Sequence, residues 1–125
     1  MADARGQWLD RWAYAHRGLF DERNPENSLA AFSAAIAAGL GIECDVRAAR
    51  DGRAMVFHDE TLERMTGIAG PLAGLGVGDL TALTLAGSAE PVATLRDTLD
   101  RVAGAVPLLL ELKTARPAAA MRQLC

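Results

Sequence analysis

The chain has 125 residues, enough for one ordinary domain; half are apolar and 23% are charged, which favours a packed core over disorder. A net charge of -3 and the lack of any Lys/Arg run argue against a nucleic-acid surface, and no apolar stretch approaches the roughly 20 residues of a membrane-spanning helix. The N-terminus has no apolar leader, and Cys44 and Cys125 match no metal-binding spacing, so a reduced, cytoplasmic protein is expected.

Ala13-Tyr14-Ala15, ending at His16-Arg17-Gly18, reads as a short buried strand that stops at a glycine turn. After a polar loop, Asn27 or Ser28 can cap a helix with Leu29, Phe32 and Ile36 at helical spacing, closed by Gly39. Gly41 to Val46 is expected as a second strand and Ala54 to Phe57 as a third. Too few residues separate these two for a crossover helix, so they form a hairpin or are joined by an extended loop. Residues 61–91 are glycine-rich and weakly periodic. Thr94, three residues before Asp97, starts a second helix with the stripe Leu95, Leu99 and Val102. Pro107 to Leu112 is a fourth strand, and the alanine-rich tail can begin another helix. Strands alternating with helices indicate a parallel α/β sheet.

The residues with chemical potential sit where these strands run out. His16 and His58, the two histidines, each follow a strand, where parallel α/β folds gather ligands and catalytic groups. Glu43 and Asp45 are two apart, so both carboxylates leave one face of a strand. Desolvating such a pair is costly unless a hard divalent cation sits between them, and oxygen ligands favour Mg²⁺, Ca²⁺ or Mn²⁺ over zinc. A solvated strand face would carry the same spacing without that role. Glu111 and Lys113 repeat the arrangement on the fourth strand. If that face is the one lined by Glu43 and Asp45, three carboxylates converge on one cation while Lys113 and Arg17 face an anion, a set suited to a phosphate ester.

These blocks resemble glycerophosphodiester phosphodiesterases: Ala15-His16-Arg17-Gly18, Pro25-Glu26-Asn27-Ser28, Ile42-Glu43-Cys44-Asp45-Val46, Asp51-Gly52, Val56-Phe57-His58-Asp59, Leu62-Glu63-Arg64 with Thr66, and Leu110-Glu111-Leu112-Lys113. The resemblance implies a TIM-type (β/α)8 barrel, truncated here to about its first half, since such a barrel takes about 250 residues. Residues 1–125 would be a partial domain in which residues 59–91 are a small insertion over the barrel mouth. It also implies that Glu43, Asp45 and Glu111 hold Mg²⁺ or Ca²⁺, that His16 and His58 are the acid/base pair in either order, and that Arg17 and Lys113 contact phosphate. The implied reaction converts a small-molecule glycerophosphodiester to glycerol 3-phosphate and an alcohol, the nucleophile being water or the glycerol 2-hydroxyl through a cyclic phosphate. Two alternatives stand beside it. One is a non-catalytic half-barrel that binds anions or self-associates through open edges. The other is a barrel-type phospholipase acting on phosphoinositides or sphingolipids, against which the Pro-Glu-Asn-Ser block and the Glu-Leu-Lys strand weigh.

Overall fold

The computed structural model describes residues 11–113; the alanine-rich tail and Cys125 lie outside them. In chain order the elements are β1 (Tyr14–His16), α1 (Leu29–Ala37), β2 (Gly41–Ala48), β3 (Ala54–Val56), α2 (Glu63–Thr66), a 3-10 turn (Leu72–Gly74), α3 (Val77–Thr81), β4 (Ala93–Thr94), α4 (Leu95–Val102) and β5 (Leu108–Leu112). No described helix is long and apolar enough to cross a membrane.

The caps explain where the two longer helices start. Ser28, extended at φ −98° and ψ 156°, accepts from the Ala31 amide, so Ser28 caps α1 and Asn27 does not. Thr94 accepts in the same way from the Asp97 amide and opens α4. The glycine turn after β1 is obligatory. Gly18 has φ +82°, and a Cβ there would lie 2.9 Å from both Ala31 Cβ and Phe32 Cδ1.

β2 is the central strand. It pairs in parallel with β1 (His16 opposite Glu43) and with β5 (Asp45 opposite Glu111). It also pairs antiparallel with β3, Val46 lying opposite Val56. Because Glu43 and Val46 each have β5 on one side, β1 and β3 must occupy the other edge of β2 in succession. The connection between β2 and β3 is therefore a hairpin, closed by the Ala49 amide on the Arg53 carbonyl at 2.8 Å. The expected parallel sheet is thus β1-β2-β5, with the antiparallel strands β3 and β4 added to it.

Four strand boundaries move, the first being β1, which begins at Tyr14 and not Ala13. β2 runs on to Ala48, because β3 continues to pair with it. β3 ends at Val56, one residue earlier than expected. β5 begins at Leu108: Pro107 has no amide to donate, although its carbonyl accepts from Ile42 at 2.9 Å. The two-residue strand β4 was not anticipated.

Two cores form on this frame. Ile42, Cys44 and Val46 alternate into the first, against Phe32 and Ala35 of α1 and Leu95 and Val102 of α4. The second gathers Met55, Phe57, Leu62, Met65, Leu72, Leu80, Leu85 and Val92. The aperiodic, glycine-rich stretch therefore packs its short turns, through Met65, Leu72 and Leu80, onto Met55 and Phe57 at the end of β3.

Candidate functional site

Alternation along β2 divides its residues as expected. Cys44 is buried among the helices, and burial pushes its thiol up to about 12, which removes it from nucleophilic chemistry. Glu43 and Asp45 leave the opposite face, and Arg47 follows them two residues later. Pairing in register then brings β5 alongside, with Glu111 beside Asp45.

Asp45 is the centre of the site and is 1% exposed. A charge so buried requires partners, and it has three. Asn27 Nδ2 donates to Oδ2 at 3.1 Å. Arg17 Nε lies 3.6 Å from the same oxygen, and Lys113 Nζ lies 3.9 Å from Oδ1. Lys113 Nζ also donates to Glu111 Oε1 at 3.0 Å, and this hydrogen bond, with the ammonium charge, holds the Glu111 carboxyl below its ordinary value. Glu43 Oε1 lies 3.6 Å from His16 Nε2.

The fold thus brings His16, Arg17, Glu43, Asp45, Glu111 and Lys113 to neighbouring positions, at the ends of β1 and β5 and along the middle of β2. His58 joins them from the end of β3, where the Phe57 amide donates to the Asp45 carbonyl at 2.9 Å. Arg47, given no role by the sequence reading, ties two of these ends together. Its Nε donates to the His58 carbonyl at 2.8 Å and its Nη1 to the Lys113 carbonyl at 3.2 Å. The two-residue alternation that singled out Glu43 and Asp45 extends to Arg47 and was sufficient to find it.

Among the described residues no three His, Cys, Asp or Glu side chains converge as a ready metal cage. The cations Arg17 and Lys113 compensate Asp45 instead. The chemistry of the donor set still fits a hard divalent ion: the carboxylates leave one sheet face, and Asn27 Oδ1 is a buried acceptor with no donor among the described residues. Arg17 Nε is the converse, a buried donor without a hydrogen-bond acceptor. Arg17 and Asn27 both have left-handed backbones, at φ 60° and 56°, strain that folded chains tolerate at functional positions.

A second group of residues was not assigned a role by sequence: Glu26, Asp59 and Arg64. His58 Nδ1 is 2.8 Å from Asp59 Oδ1. Arg64 donates to both oxygens of Asp59, from Nε at 2.8 Å and Nη2 at 3.1 Å. It donates equally to both oxygens of Glu26, from Nη1 at 2.8 Å and Nη2 at 2.9 Å. Glu26 also accepts from Arg17 Nη1 at 3.1 Å. The hydrogen bonds from Arg64, together with those from His58, hold the Asp59 carboxyl down at about 2 against its partial desolvation. Burial pushes Glu26 up, but the bonds and charge of Arg64 and the charge of Arg17 outweigh it and leave Glu26 below its ordinary value.

Comparison with known proteins bears on the fold and the family. The sequence profile described as the glycerophosphoryl diester phosphodiesterase family matches residues 16–123. A probable glycerophosphodiester phosphodiesterase 2 of Mycobacterium tuberculosis is 41% identical over 90 residues, covering 71% of this chain and 34% of the relative. A glycerophosphodiester phosphodiesterase of Caldanaerobacter subterraneus subsp. tengcongensis is 52% identical over 54 residues, 42% of this chain and 21% of the relative. Among solved structures, an Oleispira antarctica phosphodiesterase in complex with the product sn-glycerol-3-phosphate superposes with a TM-score of 0.80 at 29% identity. It is matched over 90% of this chain and 51% of its own. The Agrobacterium tumefaciens glycerophosphodiester phosphodiesterase gives 0.77 at 30% identity, over 90% and 52%. The chain therefore spans about half the length of these solved chains and about a third or less of these two curated relatives. Its sheet and helices correspond to that share of a TIM-type barrel. With its profile matched over most of its length, the chain belongs to the glycerophosphoryl diester phosphodiesterase family.

Proposed function

We propose that the chain carries the metal- and phosphate-binding part of a glycerophosphodiesterase site, cleaving glycerophosphodiesters to glycerol 3-phosphate and an alcohol. The observation that carries this reading is the parallel register of β2 and β5. It sets Asp45 beside Glu111, with Arg17 and Lys113 against Asp45.

In this reading Glu43, Asp45 and Glu111 hold Mg²⁺ or Ca²⁺. The ion would polarise the phosphoryl oxygens and offset charge developing there. Arg17 offers guanidinium charge to a phosphate oxygen, and Lys113 supplies a second cation within reach of the same anion. His16 and His58 stand at separate strand ends, suited to serve opposite sides of the phosphorus. One takes the proton of the attacking hydroxyl and the other returns a proton to the leaving alkoxide. Residues 59–91, which supply most of the second core, act as the small insertion over the barrel mouth.

Calorimetric titration with Mg²⁺ and with Ca²⁺ tests the reading, alongside an assay for glycerol 3-phosphate release. Saturable binding is expected, weakened at least about tenfold in Asp45→Asn. Release by this chain alone is expected to be weak, because a site needs its supporting shell to within about half an ångström. What release there is should fall about 100-fold in His58→Gln. Absent divalent binding together with no release above background would leave the alternative, a non-catalytic fold that binds anions, and release indifferent to His58→Gln would remove His58 from the reaction.

A further inference from the structure

The guanidinium of Arg64 is shared by two carboxylates, each gripped through both its oxygens. Each carboxylate passes the constraint on to a different residue of the candidate site: Asp59 holds His58 at 2.8 Å, and Glu26 holds Arg17 at 3.1 Å. The grip spans the fold. Glu26 lies in the loop between β1 and α1, Asp59 follows β3, and Arg64 stands on α2. Paired fork-to-fork contacts of this type fix angle as well as distance, which a lysine ammonium cannot do.

We propose that Arg64 is a positioning residue that orients His58 and Arg17 together, and that through Asp59 it fixes neutral His58 as the Nδ1–H tautomer. The proposal rests on the reading of His58 as a proton-transfer residue. An ionised Asp59 only accepts hydrogen bonds, so the ring nitrogen beside it must carry the hydrogen. The Nε2 lone pair is then left free to take or return the substrate's proton. Were Arg64 absent, the Asp59 carboxylate could rotate away from the ring, and Glu26 would lose the partner that sets its own orientation toward Arg17. Arg64 touches neither the reacting atoms nor the carboxylates of the cation site. Its effect passes entirely through Asp59 and Glu26.

The test is ¹⁵N NMR of the imidazole nitrogens in the full chain, at a pH where both rings are neutral. With two histidines in the sequence, a His16→Gln sample assigns the spectrum. Wild-type His58 is expected in the Nδ1–H form. Arg64→Lys, which keeps the charge and loses the fork, should shift the tautomer ratio about tenfold toward Nε2–H. Glu26→Gln should shift it the same way by less, and it decides the matter if Arg64→Lys does not fold. A wild-type ring in the Nε2–H form overturns the proposal. So does a ratio unmoved in the folded variants, which would give Arg64 a structural role alone. The assay of His58→Gln for glycerol 3-phosphate release is a separate readout, so failure of the functional reading and failure of this proposal are told apart.

Discussion

Asp59 is the residue at which protonation should be most visible in stability. Its folded value of about 2 lies below the ordinary carboxylate value near 3.9. A depressed carboxylate stabilises the fold fully above its unfolded value, and that contribution is lost as pH falls through the folded one. The window therefore runs from about pH 4 down to about pH 2, and Glu26 acts in the same direction. Discounted for solvent screening, the Asp59 contribution is on the order of 1 kcal/mol. Thermal melts of wild type and Asp59→Asn should differ by about that much at pH 6 and converge toward pH 2; a constant gap across the range would contradict the assignment. Gly18 offers a second test, independent of charge. Ala at φ +82°, with Ala31 and Phe32 2.9 Å from its Cβ, should cost roughly 1–3 kcal/mol in urea denaturation.

The helices α1 and α4 show what a local pattern can and cannot convey. Each starts at the residue after its capping hydroxyl, but in α4 the expected stripe changes: Leu99 is exposed, and Thr98 is buried beside Leu95 and Val102 instead. Thr94→Ala should therefore cost about 1 kcal/mol, read as a lower urea midpoint at unchanged slope, and an unchanged midpoint would show that α4 is held by packing alone. β1, β2 and β5 were legible for a similar reason, since alternation and apolar runs report one strand at a time. The facing of Glu43, Asp45 and Glu111 followed from that alternation, but their alignment required the register of β2 with β5, which no single strand encodes. β4, at two residues, is too short to alternate at all. Glu26, Asp59 and Arg64 escaped for another reason. Each looks like an ordinary solvated charge in a polar or aperiodic segment, and the Glu26–Arg64 pairing spans 38 positions. Long-range pairs of that type exist only once the segments that carry them have packed.

At the scale of the whole molecule, the sheet is stabilised unevenly. β2 pairs along both edges, whereas β5 pairs with β2 and with no other strand among the described residues. Leu108, Leu110 and Leu112 pack against the main core yet are only partly buried, so the strand carries apolar side chains beside an edge that pairs with no other described strand. An edge of this kind is a template for strand addition unless charge or proline interrupts it. Between Leu108 and Leu112 the one interruption is Glu111, whose charge Lys113 partly offsets. The chain is therefore expected to self-associate at micromolar concentration, and sedimentation should show a weight-average mass that rises with loading. Replacing Leu110 by Lys should return the chain toward monomer, because it places an ammonium on the half-covered face of the edge strand. A wild-type chain that sediments as a monomer at every loading would mean that β5 is already covered. The docking site for a further strand would then have to be sought on another outer strand such as β1, which likewise pairs with β2 alone among the described strands.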